Sequence, residues 1–215
     1  MMAKSIVFLG LLLASVMVHN AAASDPDLTT DFNVTNPIAE DFAFRGFRNL
    51  QPAAKGVATP HFAQFNMNPP FVGLNGLGLA AVLFEFDPES QVDPHTHPRA
   101  TELFFLLSGE VQVGFVDTAN NFFETTLYVG DLFVFPKGLL HFLRNNGKGT
   151  ASGFSALTSE NPGILNVFKG LFTGSGTGFP DIVISTALGI KKTDHEIDGL
   201  KKAVASRDNV TLNIW

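Results

Sequence analysis

The 215-residue sequence predicts an antiparallel all-β sandwich or barrel followed by a helical tail. Between residues 61 and 158, short apolar runs rich in Phe and Val are cut by turn residues roughly every ten positions, the rhythm of antiparallel strands. After Ser159 the runs open on polar or proline signals and take on helical character.

In chain order, residues 1–23 come first. One basic residue (Lys4), an apolar run from Ile6 to Val18 and the small residues Ala21 to Ala23 have the layout of a secretory signal peptide. The run is too short to span a bilayer comfortably, and no later segment offers about 18 consecutive apolar residues. The expectation is a secreted, soluble mature chain beginning SDPD. Residues 24–60, rich in Asp, Asn, Pro and Ala, read as an extended arm with short strands.

The strand region, residues 61–158, contains the runs HFAQFNM, GLAAVLFEF, ELFFLLSG, EVQVGFVD, NFFETTLYV, DLFVFP and SGFSALTS. Breaks fall at DPES, DTANN, VGD, PKG and NNGKG. The 22 phenylalanines read most simply as core filling. Residues 159–215 form the tail, with helical signals in NPGILNVFKGLF, PDIVISTALGI and DHEIDGLKKAVAS. The GSGTGFP connector between the first two follows no strand and lacks a P-loop lysine, so it is not a phosphate loop.

The overall composition narrows the partners. Without Lys4 the 14 basic residues become 13 against 20 acidic ones, a net charge of about −7 with no basic run. Nucleic acid and anionic membrane are therefore poor partners. There is no cysteine, so stability must come from packing and association rather than disulfides. Two sequons, at Asn33 and Asn209, are candidate glycosylation sites on an export route.

Chemistry concentrates in Asp93–Glu102, DPHTHPRATE. On a strand, residues i and i+2 share a face, so His95 and His97 project the same way and can chelate one ion. Glu102 follows a bend, and His141 stands just past a Pro-Lys-Gly turn. Three imidazoles and one carboxylate converging in a barrel would form an N3O site with positions left for water or substrate. The alternative is a set of hydrogen-bonded core histidines. Burying so many polar groups in apolar surroundings is costly without a cation to neutralise and orient them. His61 and His195 stand outside the pattern.

Two longer motifs run through the same region. H-x-H-x4-E-x6-G matches His95, His97, Glu102 and Gly109; G-x5-P-x-G-x2-H-x3-N matches Gly130, Pro136, Gly138, His141 and Asn145. Together they resemble the two motifs of the cupin superfamily. SDPD, PHTHPRATE, FPKGLLHF and ENPGI further resemble plant germins and germin-like proteins over nearly the whole mature chain. The resemblance implies a β-jelly-roll barrel with a C-terminal helical extension. It also implies one manganese held by His95, His97, Glu102 and His141, and an apoplastic glycoprotein assembled as a hexamer, a trimer of dimers clasped by the tails. Manganese enters through the resemblance alone, since these ligands equally accept iron, cobalt, nickel or zinc.

Three departures from the germin pattern matter. The usual N-terminal disulfide has no cysteines to form it, and a usual turn glycine is Glu89. Of two asparagines that help germins hold oxalate, Asn75 is kept as a substrate or supporting contact. The second position is Val92, which can donate nothing to a carboxylate. The resemblance thus leaves open a superoxide dismutase, a non-enzymatic structural, receptor-like or storage cupin of defence or the cell wall, and, disfavoured by Val92, an oxalate oxidase.

Overall fold

The computed structural model describes residues 25, 27–48, 50, 52–172, 179–189 and 196–207. The leader, the Asn209 sequon, His195 and most of the GSGTGFP connector lie outside the described residues.

Among the described residues, ten strands build the barrel: β1 Ala58–Ala63, β2 Ala80–Phe86, β3 Gln91–Thr96, β4 Glu102–Ser108, β5 Glu110–Val116, β6 Phe122–Tyr128, β7 Leu132–Phe135, β8 Leu140–Arg144, β9 Ala151–Leu157 and β10 Leu165–Asn166. They form two five-stranded sheets, ordered β1-β2-β9-β4-β7 and β10-β3-β8-β5-β6. The paired strands run antiparallel. This is the all-β jelly-roll barrel expected, and strict alternation explains how it closes. In β2, Ala80, Val82, Phe84 and Phe86 turn inward, while in β9 the inward set is Ala151, Gly153, Ser155 and Leu157. Those faces meet Phe104, Leu106, Val111, Val113, Phe135 and Leu143 in one core between the sheets. Phe104 lies edge-on to Phe84 with ring centroids 5.8 Å apart, a favoured aromatic arrangement.

Gly109 shows why a motif glycine is needed. It joins β4 to β5 at φ +78°, and a Cβ there would stand 2.6 Å from the Cβ of Ala151. Glycine, having no Cβ, is the residue type that accepts that backbone and that closeness together.

Three details differ from the reading of the sequence. The barrel begins at Ala58 and gains β10 after residue 158, because Leu165 and Asn166 pair with Thr96 and His95 on the free edge of β3. NPGILNVFKGLF is therefore a short strand and then a helix, not one helix. The described part of the arm has no strand before β1, only a single 3-10 turn at Ala39–Phe42. Without cysteines, the arm is held by ring pairs Phe32–Phe42 and Phe44–Phe71, at 5.3 and 5.5 Å, and by polar contacts to the barrel.

The tail contains α1 (Val167–Phe172), α2 (Asp181–Leu188) and α3 (Glu196–Arg207). Phe172, Ile184 and Ile197 bury a small second core with Leu171 and Val204. A Lys201–Asp181 ion pair ties α3 to α2. Among the described residues, no helix is long and apolar enough to cross a membrane.

Candidate metal centre

The site is assembled where β3, β4 and β8 face the barrel interior. Val92 and His95 are both buried although three residues apart, which plain alternation forbids. The register between β3 and β8 shifts between these two positions. A bulge there, at Asp93 and Pro94, restores the inward direction, and Pro94 fits it because it has no N–H to give a ladder. His95 then sits opposite His141 on β8.

His97 lies one residue beyond the end of β3, its carbonyl accepting the Gly138 N–H at 3.0 Å. That bond ties the bend after the first motif to the Pro136–Leu139 turn that delivers His141. Glu102 opens β4, flanked in register by Phe135 and Leu157.

One ligand-type atom from each of His95, His97, Glu102 and His141 lies within 4.8 Å of the others, and all four residues are buried. The rings of His95 and His141 have centroids 4.2 Å apart, and His141 stacks on Phe135 at 4.5 Å.

The outer contacts are as telling as the cluster itself. The Nδ1 of His95 donates to the Asp93 carbonyl at 2.8 Å, that of His97 to the Gly163 carbonyl at 2.6 Å, and that of His141 to the Leu139 carbonyl at 2.8 Å. With the proton assigned to Nδ1 by its carbonyl partner, each Nε2 is free to present a lone pair, the second-sphere arrangement that orients metal-binding histidines. Glu102 is oriented in the same way: Ser155 Oγ donates to its Oε1 at 2.5 Å, leaving Oε2 for the centre.

The His97 and His141 Nε2 atoms approach Oε2 at 3.1 and 3.4 Å. Even so, Oε2 and the Nε2 of His141 are buried without an aligned hydrogen-bond partner. Buried polar atoms without partners are rare in folded proteins, and these two point at a common centre where a cation would satisfy both. The residues therefore fit a divalent metal.

The electrostatics agree. Burial, helped by the neighbouring His141 and His97, lowers the pKa of His95 to about 3, so it is a neutral imidazole at physiological pH. Burial pushes the Glu102 carboxyl up, but the His141 and His97 imidazoles against it outweigh that and hold it well below the usual range. A neutral imidazole at His95 and an ionised carboxylate at Glu102 are the states a metal requires of them.

The Asn75 amide donates to the Asn33 carbonyl at 3.2 Å, pinning the arm. Val92 joins the barrel core and, with His95, Ile164 and Arg144, lines a cleft of about 500 Å³ between the sheet edges. Glu89 occupies a left-handed turn at φ +61°, the conformation that explains why a glycine is usual there. Asn145 is structural: its amide nitrogen donates to the carbonyls of Asp87 and Gly149 at 3.1 and 2.8 Å. His61 is paired with Glu85 at 3.2 Å, away from the cluster.

Ser155 was not picked out from the sequence. Its signal was a small polar residue on the inward register of SGFSALTS. Gly163 carried no such signal, since what it contributes is a backbone carbonyl.

Fold and cluster together define a β-barrel protein built around one buried metal-type site. A family model described as cupin matches residues 64–196. Germin-like protein 9-3 of Oryza sativa subsp. japonica is 36% identical over 204 residues, covering 90% of this chain and 92% of that protein. An oxalate oxidase structure superposes with a TM-score of 0.74 at 28% identity, over 85% of this chain and 99% of the other. Peruvianin-I, described as a cysteine peptidase from Thevetia peruviana latex, superposes at 0.61 with 30% identity, over 67% of this chain and 98% of the other. The chain belongs to the cupin family and, within it, to the germin-like proteins.

Proposed function

We propose that this chain is a secreted germin-like protein of the plant apoplast that holds one manganese ion at His95, His97, Glu102 and His141 and dismutates superoxide, in a defence or cell-wall role. The observation that carries the reading is the convergence of three Nε2 atoms and one carboxylate oxygen whose outer contacts are already fixed. A bound manganese would supply an electron relay between two oxidation states, oxidising one superoxide to dioxygen and reducing another to peroxide.

The chain's own part is to hold and shield that relay. Ser155 and the three carbonyls fix the ligands so that they need not reorganise between the two states. Phe135, stacked on His141, keeps one side apolar. The cleft beside His95 gives small solutes and water, the source of protons for peroxide, a route toward the site.

Neither activity named for the two structural neighbours suits these residues. Oxalate oxidation is disfavoured because Val92 offers no donor to a carboxylate. A cysteine-peptidase mechanism has no nucleophile, since the chain contains no cysteine. A second reading, a non-enzymatic structural, receptor-like or storage cupin, is favoured by the same burial: a metal tying β3, β4 and β8 together stabilises the barrel whether or not it turns over.

Assembly belongs to the proposal, as a hexamer built from three dimers. Leu103, Leu107, Leu132 and Val134 on the adjacent strands β4 and β7 are 45%, 44%, 58% and 48% exposed, an apolar face for which self-association is a natural cover. Light scattering tests it. Asn33 is exposed, as an N-glycan requires, and Asn209 is the second candidate.

Elemental analysis of the native protein tests the ion, and superoxide dismutation by wild type against His97→Ala tests the activity. Activity retained in His97→Ala would sink the redox reading. Oxalate-dependent peroxide release would overturn the argument from Val92. A melting temperature that responds to metal while both assays stay silent would favour the structural reading.

A further inference from the structure

The three histidines are not supported alike. His95 and His141 each donate Nδ1 to a carbonyl two residues back, Asp93 within β3 and Leu139 in the turn that leads into β8, so each support is local in the chain. His97 lies past the end of β3, and its support is the Gly163 carbonyl, 66 residues away on the loop after β9. That loop is held at its far end where β10 pairs with β3, but Asn161 to Gly163 lie outside both sheets and take their support from side chains and turns.

Arg99 is placed to supply it. Its guanidinium spans Asn161, with Nε donating to the backbone carbonyl at 2.5 Å and Nη2 to the side-chain Oδ1 at 2.8 Å. Its own N–H donates to the Pro162 carbonyl at 3.2 Å. The same guanidinium packs against Gly163, where φ is +67° and a Cβ would come within 2.8 Å of Nη2. One residue, two after a ligand, thus grips the three residues that present the ligand's carbonyl, its side chain holding Asn161 and Gly163 and its backbone holding Pro162.

The loop's other end is held from the arm. Ser159 Oγ and the Glu160 N–H donate to the two carboxylate oxygens of Asp25 at 3.0 and 2.7 Å, and the Asn161 N–H donates to Ser159 Oγ at 3.1 Å. We propose that Arg99 is a positioning residue for the metal ligand His97, acting through Asn161 and the Gly163 carbonyl, with Asp25 anchoring the same loop from the arm. The inference rests on the metal-site reading and goes beyond it, since neither residue is a ligand.

The planar fork matters more than the charge, because Lys cannot bridge both Asn161 acceptors. Changing groups that orient a metal ligand costs about 10–100-fold in affinity, and Arg99, exposed and one step removed, belongs near tenfold.

The test uses purified protein and manganese alone. Affinity is measured by competition with a chelator, the coordination geometry by the Mn(II) EPR spectrum, and folding by the melting temperature of the metal-free form. Arg99→Ala is expected to weaken manganese about tenfold and alter the spectrum while the metal-free form still melts cooperatively near wild type, with Arg99→Lys falling between. Wild-type affinity and spectrum in Arg99→Ala overturn the proposal. Should that variant fail to fold, Asp25→Ala decides: weakened binding with an altered spectrum supports the proposal, and wild-type values overturn it. A wild-type protein that binds manganese no better than His97→Ala refutes the site itself, a failure distinct from that of Arg99.

Discussion

Ser155→Ala is the sharpest test of how the carboxylate ligand is held. Ser155 and Glu102 are 0% and 1% exposed, and the hydroxyl donates to Oε1 at 2.5 Å. Removing it leaves a charged oxygen buried with no donor, and water has little access to replace it. A lost partner on a buried polar group costs about 1–3 kcal/mol, with charged groups at the upper end. For a chain of this size each 1 kcal/mol moves the melting temperature by about 2–4 °C, so a loss of about 2–3 kcal/mol should lower the melting temperature of the metal-free variant by about 4–12 °C. The carboxylate also loses its orientation, which should weaken manganese binding about 10–100-fold. Calorimetry of the metal-free protein and chelator competition on the loaded protein read the two effects separately. A variant with unchanged melting temperature and affinity within about twofold of wild type would refute the assignment of Ser155 as the residue that aims Glu102.

Acid should destabilise the metal-free protein. The His95 pKa falls from 6.5 to about 3 on folding, so the unfolded chain binds the extra proton and stability drops as pH falls below 6.5. Glu102, also depressed on folding, adds a loss of the same sign through the carboxylate range; urea midpoints at pH 7, 5 and 4 should fall in that order, with His95 alone contributing up to roughly 4 kcal/mol by pH 3. Manganese at about 100 times its dissociation constant should stabilise the fold by about 2.7 kcal/mol, and a chelator should reverse this in a thermal melt. Gly109→Ala should cost on the order of 3 kcal/mol in urea unfolding, because strain at φ +78° adds to overpacking against Ala151. Val92→Asn places a donor beside His95 and should confer oxalate-dependent peroxide release if the lack of that donor is what disfavours oxalate; an inactive variant that still folds and binds manganese would show that one donor is not enough.

Much of the barrel was legible because strands with one face in the core must alternate, and the alternation of GLAAVLFEF or EVQVGFVD can be read along a line. The two strands that carry His95 and His141 were the hardest to see. QVDPHT breaks alternation at its bulge, and LHFLR is short and follows directly on a turn. Their identity came from the motif spacing rather than from periodicity. NPGILNVFKGLF misled for a related reason: Leu165 and Asn166 take strand geometry only because the edge of β3 is there to pair with them.

By itself the sequence determined the barrel class, the helical tail and the four residues of the cluster, since ligand type and spacing along strands are local properties. Tertiary structure decided what surrounds them. Ser155 lies 53 residues from the carboxylate it orients, and Gly163 lies 66 residues from the imidazole it supports. Asn75, matched on a motif, bonds the Asn33 carbonyl of the arm, 42 residues away. Hydrogen bonds across such separations depend on which strand ends and loops the closed barrel brings together, and nothing local in the chain encodes that proximity.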